Sequence, residues 1–163
     1  YQGGGEAATL EPLHEHLFEY KTHMMQNYGA GVQACYRGPR LYDTPETQAA
    51  VTEVIQWYKK YRDILNSDMI HLRRPDARDW DGFIHVNPHK KEKGLAMFFN
   101  PTHQEITRTI HIPLYYTGLT QTARIREKEQ KPVTYKLNRD YTVELTVKIP
   151  ANGYTWYVVE AAD

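Results

Sequence analysis

The spacing of apolar residues changes once along this chain. Up to about residue 68 they recur every three or four positions, and from Met69 onward the period is two. Leu10, Leu13, Leu17, Tyr20, Met24 and Tyr28 predict a first helix, capped by Thr9 and ended at Gly29. GVQACY, Gly31 to Tyr36, is short and bounded by glycine, which predicts a strand, and the polar loop RGPRLYD follows from Arg37 to Asp43. Thr44, Pro45 and Glu46 then read as a helix start: a hydroxyl cap, a proline at the first helical position and an acid at the positive dipole end. Val51, Val54, Ile55, Tyr58, Tyr61 (or Arg62) and Leu65 make one face of that helix, Trp57 lies at its margin, and Lys59, Lys60 and Asp63 belong to the other face.

Beyond residue 68 the signals are those of strands. Gly82 to Pro101, GFIHVNPHKKEKGLAMFFNP, predicts a hairpin. Phe83, Ile84 and Val86 form one arm, Asn87-Pro88 breaks it, charged residues stay solvated, and Gly94 turns the chain back. Leu95 to Phe99 is apolar at every position, as in a central strand covered on both faces. In Glu105 to Ile112 the isoleucines 106, 110 and 112 share one side, with Arg108 as the exception. Tyr141 to Ile149 alternates without error, Tyr141, Val143, Leu145, Val147 and Ile149 facing in. With further strands at Ala123 to Arg126, Val133 to Leu137 and Tyr154 to Glu160, about seven short strands predict an antiparallel sandwich.

The fold class expected is therefore α+β: an α-β-α segment over residues 1–68, then an antiparallel β-sandwich over residues 69–163. The lone strand of the first part cannot form a stable sheet by itself. The apolar face of the second helix must accordingly be covered by the sandwich, by the first helix or by a second copy of the chain.

Composition narrows the partners. Twenty basic and twenty acidic residues among 163 cancel, so neither a nucleic-acid surface nor an anionic-membrane surface is indicated. No apolar run is long enough to span a bilayer. Cys35 is the single cysteine, which excludes an internal disulfide and leaves the compartment open. The chain opens at Tyr1 rather than at a methionine, as a processed product or a piece of a longer protein would. Its 13 tyrosines pair flat apolar faces with polar tips, useful for sandwich packing and for sugar contacts alike.

Candidate chemistry is sparse. His14 and His16 on one helix would point about 200° apart, so they cannot share a metal ion and are expected to be solvated; the remaining histidines show no ligand spacing. RRPDARDWDG, Arg73 to Gly82, clusters Asp76, Asp79 and Asp81 in part of a calcium-loop pattern, without the regular spacing or terminal glutamate of such loops. Pairing with Arg73, Arg74 and Arg78 is the better reading. Asp79 and Asp81 also make a poor glycosidase pair, since nothing in their spacing would raise the pKa of one of them. No nucleotide, dinucleotide or nucleophile-elbow fingerprint is present, and no cofactor or metal is expected. One polar group remains: Tyr36, Arg37, Arg40, Tyr42 and Asp43, after the carboxyl end of a predicted strand and before a helix, where parallel α/β folds place ligand-binding loops.

VQACYRGPRLYD at Val32 to Asp43, WYKKYRDIL at Trp57 to Leu65, the RRPDARDWDGFIHVNP junction and GLAMFFNPT together resemble the C-terminal portion of glycoside hydrolases of the melibiase-type α-galactosidase clan. The resemblance covers nearly the whole chain. It implies the end of a (β/α)8 barrel followed by an antiparallel sandwich, with the 36–43 loop opening on the sugar-binding face. It also implies that the family's two catalytic aspartates lie on earlier barrel strands, with no counterpart here. The partners implied are carbohydrate, through the parent enzyme, and the remainder of the barrel, in a secreted or periplasmic setting. Two other functions compete. One is a carbohydrate-binding module stacking sugars on Trp80, Tyr115, Tyr116, Trp156 or Tyr157, and the other is a freestanding interaction protein whose N-terminal helices pack on a partner through the surface the missing barrel would have covered.

Overall fold

Thr44 and Pro45 start the longest helix at the predicted residue, α2, Pro45–Leu65. The structure is a computed structural model that describes residues 10–33 and 38–162. The chain divides into two units, Tyr1–Leu65 and Asn66–Asp163.

In the first unit the predicted first helix begins later than its apolar spacing suggests. A 3-10 turn, Leu13–Glu15, precedes α1, Leu17–Gly29. Pro12 lacks an N–H and disfavours helical backbone at Glu11, so the helix cannot extend back to Leu10; Thr9 lies outside the described residues. The end at Gly29 is as expected, and a left-handed Gly31 (φ 72°) closes it: Gly31 N–H donates to Tyr28 O (3.0 Å) and Val32 N–H to Asn27 O (3.1 Å). Gly31 thus caps a helix instead of opening a strand. Residues 31–33 are turn and coil, and residues 34–37 lie outside the described part.

The two helices pack through Tyr20, Met24 and Met25 of α1 and Val51, Val54, Tyr61 and Ile64 of α2, all buried, with the Tyr28 and Tyr58 rings 5.1 Å apart. Tyr61, rather than the exposed Arg62, completes the buried stripe. Lys21 and Glu53 add an exposed ion pair at 3.0 Å.

In the second unit a chain alternating with period two builds two sheets. The strands are β1 (Asp68–Arg73), β2 (Asp81–Val86), β3 (Glu92–Phe99), β4 (Ile106–Pro113), β5 (Thr122–Glu127), β6 (Val133–Lys136), β7 (Thr142–Ile149) and β8 (Tyr154–Glu160). Six of them run antiparallel in the order β1-β2-β3-β8-β5-β6, and β4 pairs with β7. Eight strands form where seven were expected. The additional one, β1, is a sheet edge whose Met69 and His71 stay exposed, so it shows no clean alternation. The β2–β3 hairpin forms as predicted, but Gly94 lies within β3, opposite Val86, and Asn87 to Lys91 make the turn.

The core lies between the sheets. Ile84, Ala96, Phe98, Ile125, Tyr157 and Val159 face it from the larger one, and Ile110, Ile112, Val143, Leu145, Val147 and Ile149 from the smaller. In the row Ile70–Ile84–Ala96–Tyr157, each residue pairs with the next across four strands. Leu95 and Met97, on the opposite face of β3, are also fully buried, as its continuous apolar run requires. Arg108 is not an exception in facing, because it occupies the inward row with Ile106, Ile110 and Ile112. At the sandwich margin its guanidinium turns to Asp79 (Nε to Oδ1, 3.2 Å) and to Thr107 O (2.9 Å).

Asn100, buried at the end of β3, joins the sheets. Its Nδ2 donates to the carbonyls of Gln104 (2.7 Å), Ile149 (3.2 Å) and Pro150 (3.1 Å), while Oδ1 accepts from Thr102 N–H (2.9 Å) and hydroxyl (2.7 Å).

Asn100→Ala, which leaves these carbonyls without the amide, should lower stability by about 2–3 kcal/mol in urea denaturation. Asn100→Asp should cost more, because a carboxylate would face three carbonyl oxygens. At Gly82 an added Cβ would lie 2.5 Å from Met97 O, so Gly82→Ala should also shift the transition downward; unchanged midpoints would show that β2 and β3 can separate without penalty.

Candidate functional site

The described part of the loop before α2 is fastened at three points. Arg40 forks onto Glu11 (Nε to Oε1, 3.3 Å; Nη2 to Oε2, 3.0 Å), the Tyr20 hydroxyl donates to Leu41 O (2.9 Å), and Asp43 holds His14. Asp43 Oδ2 accepts from the His14 backbone N–H (3.1 Å) and lies 2.8 Å from its Nδ1; Oδ1 accepts from the Thr47 hydroxyl (3.0 Å). That hydroxyl accepts in turn from the N–H groups of Asp43 (3.0 Å) and Thr44 (2.9 Å), and Thr44 Oγ1 accepts from Thr47 N–H (3.3 Å). Asp43 and Thr44 thus tie up donors at the start of α2.

Of the five residues singled out in the sequence, Tyr36 and Arg37 lie outside the described residues. Arg40, Tyr42 and Asp43 come together on one fastened loop. Asp43 turns inward, its side chain 6% exposed, whereas the Leu41 and Tyr42 side chains project into solvent and Arg40 stays exposed while paired. Sequence reasoning missed Glu11 and His14 as their partners. Each contact spans 29 residues, and no local pattern carries it. His14 is solvent-exposed, as expected, but it sits in the 3-10 turn rather than on the helix and is held by Asp43.

Burial works to raise the Asp43 carboxyl, but the hydrogen bonds from the His14 ring and backbone and from Thr47 outweigh it and hold the group at about 2. The same bond to Asp43 raises His14 above its ordinary value; burial opposes the rise, and the charges of Asp43, Glu15 and Glu46 add to it.

In the second unit the aspartate cluster is a turn. Asp76 pairs with Arg73 (2.8 Å) and accepts the N–H groups of Arg78 and Asp79; Arg73 holds it far below the usual carboxylate range. Asp79 accepts Trp80 N–H (2.8 Å) and pairs with Arg108, an arginine from a distant strand instead of the adjacent ones expected. Asp81 departs from expectation too. Burial at the start of β2 pushes its carboxyl up, with Arg73 pulling it down, an effect that sequence spacing does not reveal. Among the described residues no three His, Cys, Asp or Glu side chains converge to hold a metal ion. No described helix is long and apolar enough to cross a membrane.

The rings considered for sugar stacking do not form one platform. Trp156 and Tyr157 are buried, and Trp80 packs edge-on against Phe98. Tyr115 and Tyr116 are well exposed but perpendicular, at 90°.

No family model and no curated protein matches the sequence. Solved structures do. The chain is similar to a β-L-arabinopyranosidase of glycoside hydrolase family 27 from Geobacillus stearothermophilus, with 11% identity and a TM-score of 0.60 over 89% of this chain and 30% of that one. It is similar to α-galactosidase I from Mortierella vinacea, with 12% identity and a TM-score of 0.57 over 87% and 35%. It is also similar to an α-amylase from Geobacillus thermoleovorans, with 15% identity and a TM-score of 0.61 over 90% and 34%. The chain therefore spans about a third of the length of these structures. At such identities the likeness shows the fold: two helices leading into an antiparallel sandwich, as in the C-terminal part of family 27 enzymes. The expected fold class, and its resemblance to the end of an α-galactosidase-type enzyme, hold at that level.

The Asp43–His14 pair predicts a pH window. The depressed Asp43 contributes stability above its ordinary value of 3.8 and loses it as pH falls toward about 2. The raised His14 contributes below its ordinary value of 6.5 and loses it as pH climbs through its folded value. Amide-exchange protection at residues 40–47 should therefore be greatest between those ordinary values. His14→Gln should remove the decline on the alkaline side and weaken the one on the acid side, because the His14 ring is one of the groups that hold Asp43 low. A flat profile, or an unshifted His14 ring titration in NMR, would contradict this.

Proposed function

We propose that this chain is the C-terminal portion of a glycoside hydrolase of the α-galactosidase type. The sandwich has a structural or accessory role, and the catalytic carboxylates belong to the rest of the parent enzyme. The observation that carries this reading is the asymmetry of the match: nearly nine-tenths of this chain but only about a third of each neighbour. In the first unit the described residues supply two packed helices and a fastened loop but no strand. Helices of this kind fit the outside of a barrel whose strands come from elsewhere.

On this reading the loop before α2 opens on the sugar-binding side. Tyr36, Arg37, Arg40 and Tyr42 are the residues we assign to glycan contact, the first two lying outside the described residues, and Asp43 fixes the loop's backbone. Carbohydrate is met through the parent enzyme, in a secreted or periplasmic setting. The aspartates of the second unit do not substitute for a catalytic pair. Asp76 and Asp79 are held by arginines, and Asp81 has no second free carboxylate assigned to work with it.

Purified chain should show no hydrolysis of aryl α-galactosides or aryl β-L-arabinopyranosides above the buffer rate. The genomic reading frame upstream of Tyr1 should encode barrel strands bearing the two missing carboxylates. Turnover abolished by Asp79→Ala or Asp81→Ala, or an upstream frame without a barrel, would overturn the proposal.

A further inference from the structure

Two tyrosines at one end of the sandwich are placed unlike its other rings. Tyr115 and Tyr116 follow β4 in a 3-10 turn, Tyr115–Thr117. With three residues per turn, positions three apart share a side, and Leu114 and Thr117 are both fully buried. The two residues between them therefore point outward. They are 62% and 64% exposed, more than any other large hydrophobic side chain among the described residues.

The backbone that carries them is held from several sides. The Thr117 hydroxyl donates to Leu114 O and accepts from Leu119 N–H (3.3 Å), while Leu114 N–H donates to Tyr141 O (2.9 Å), just ahead of β7. Gly118 closes the turn in a left-handed conformation (φ 78°), where an added Cβ would lie 3.0 Å from Pro88 Cβ of the β2–β3 turn. Tyr141 stands at φ 63°, which glycine or asparagine adopts with less strain. Its partly buried ring packs on the core and meets the Tyr115 ring at 5.4 Å. Three connections between strands thus converge on one pair of rings.

We propose that this corner binds a single unit of a neutral hexopyranose sugar. A pyranose has apolar C–H faces and a rim of hydroxyls. Tyrosine offers an aromatic face to the first and a hydroxyl, both donor and acceptor, to the second. Among the described residues neither the Tyr115 nor the Tyr116 hydroxyl has a hydrogen-bond partner, so both stay open to that rim. The rings stand at 90° with centroids 5.1 Å apart, so they cannot lie side by side beneath successive units of a polymer. One ring stacks on the sugar and the other meets its rim. A right angle therefore selects one unit where coplanar rings would grip a chain. The choice of a sugar rests on the glycoside hydrolase reading; the limit to one unit rests on the ring geometry alone.

The test is a titration of the 15N-labelled full chain with galactose, glucose, melibiose and maltotriose. Amide shifts confined to residues 114–119 and 138–142, saturating in the millimolar range, are expected with at least one of them, and which one identifies the sugar. Contact through rings and hydroxyls is not ionic, so added salt should leave the affinity unchanged. Maltotriose should bind at most about threefold tighter than glucose, the statistical advantage of carrying three units. Tyr115→Ala and Tyr116→Ala should each weaken binding about tenfold, as loss of a central aromatic contact does, and Tyr116→Phe by less, since it keeps the ring and loses only the hydroxyl. Both side chains are largely exposed, so these variants should keep the wild-type melting temperature.

Three results would overturn the proposal: no shift at these residues with any sugar, shifts that survive both alanine variants, or maltotriose binding far tighter than the statistical factor, which would mean a surface running along a chain. Sedimentation that depends on protein concentration and loses that dependence in Tyr116→Ala would assign the corner to a second copy of this chain and overturn the sugar. None of these outcomes depends on whether a barrel lies upstream of Tyr1, so the two readings fail independently.

Discussion

The sandwich depends on a single buried amide at its corner. Where β3 ends and the chain crosses to the smaller sheet, the backbone must bend without continuing either ladder, which leaves carbonyls without ladder partners, that of Ile149 buried. Asn100 resolves this by donating to three of them, two at the end of β7 and one at the approach to β4, while its own oxygen orders Thr102. A buried carbonyl without a partner costs about 1–3 kcal/mol, so the bond to the buried Ile149 oxygen alone makes this amide costly to remove, and the part-buried bonds to Gln104 and Pro150 add to it. An aliphatic residue of similar size would fill the space and leave the corner unsatisfied.

The strands read most clearly in the sequence were those whose environment is simplest. β7 has one wet and one dry face and so alternates without error, and β3 is dry on both faces and so reads as an unbroken apolar run. The start of α2 was equally plain, because Thr44, Pro45 and Glu46 act within one turn. The missed features arise from residues far apart in the chain. β1 is half exposed at a sheet edge, Arg108 follows the inward register but ends at Asp79, and Asp81 is raised by burial that its neighbours do not announce. The six-plus-two strand order is likewise set by which edges meet, and period alone carries no such information.

The loop before α2 shows the same division. Its composition marked it as a place for ligand contact, yet what fixes it is a set of partners 21 to 29 residues earlier, Glu11, His14 and Tyr20. Fold carries function only part of the way here, since similar architecture occurs in an α-galactosidase, a β-L-arabinopyranosidase and an α-amylase, which act on different glycosidic bonds.

The strand order also governs how the molecule can be assembled. β8, the last of the eight strands in sequence, occupies an interior position and pairs with β3 on one side and β5 on the other. Until it arrives, β1-β2-β3 and β5-β6 are separate pieces, each with an open edge and half a core. A ribosome releases the chain from its N-terminal side, so closure of the larger sheet waits for Tyr154–Glu160 to emerge. Long-range closure of this kind is slow compared with hairpin formation, and it leaves apolar edges exposed in the meantime. The nascent chain is accordingly most vulnerable to aggregation just before synthesis of its eighth strand, a hazard that arises from topology and would persist however stable the finished sandwich became.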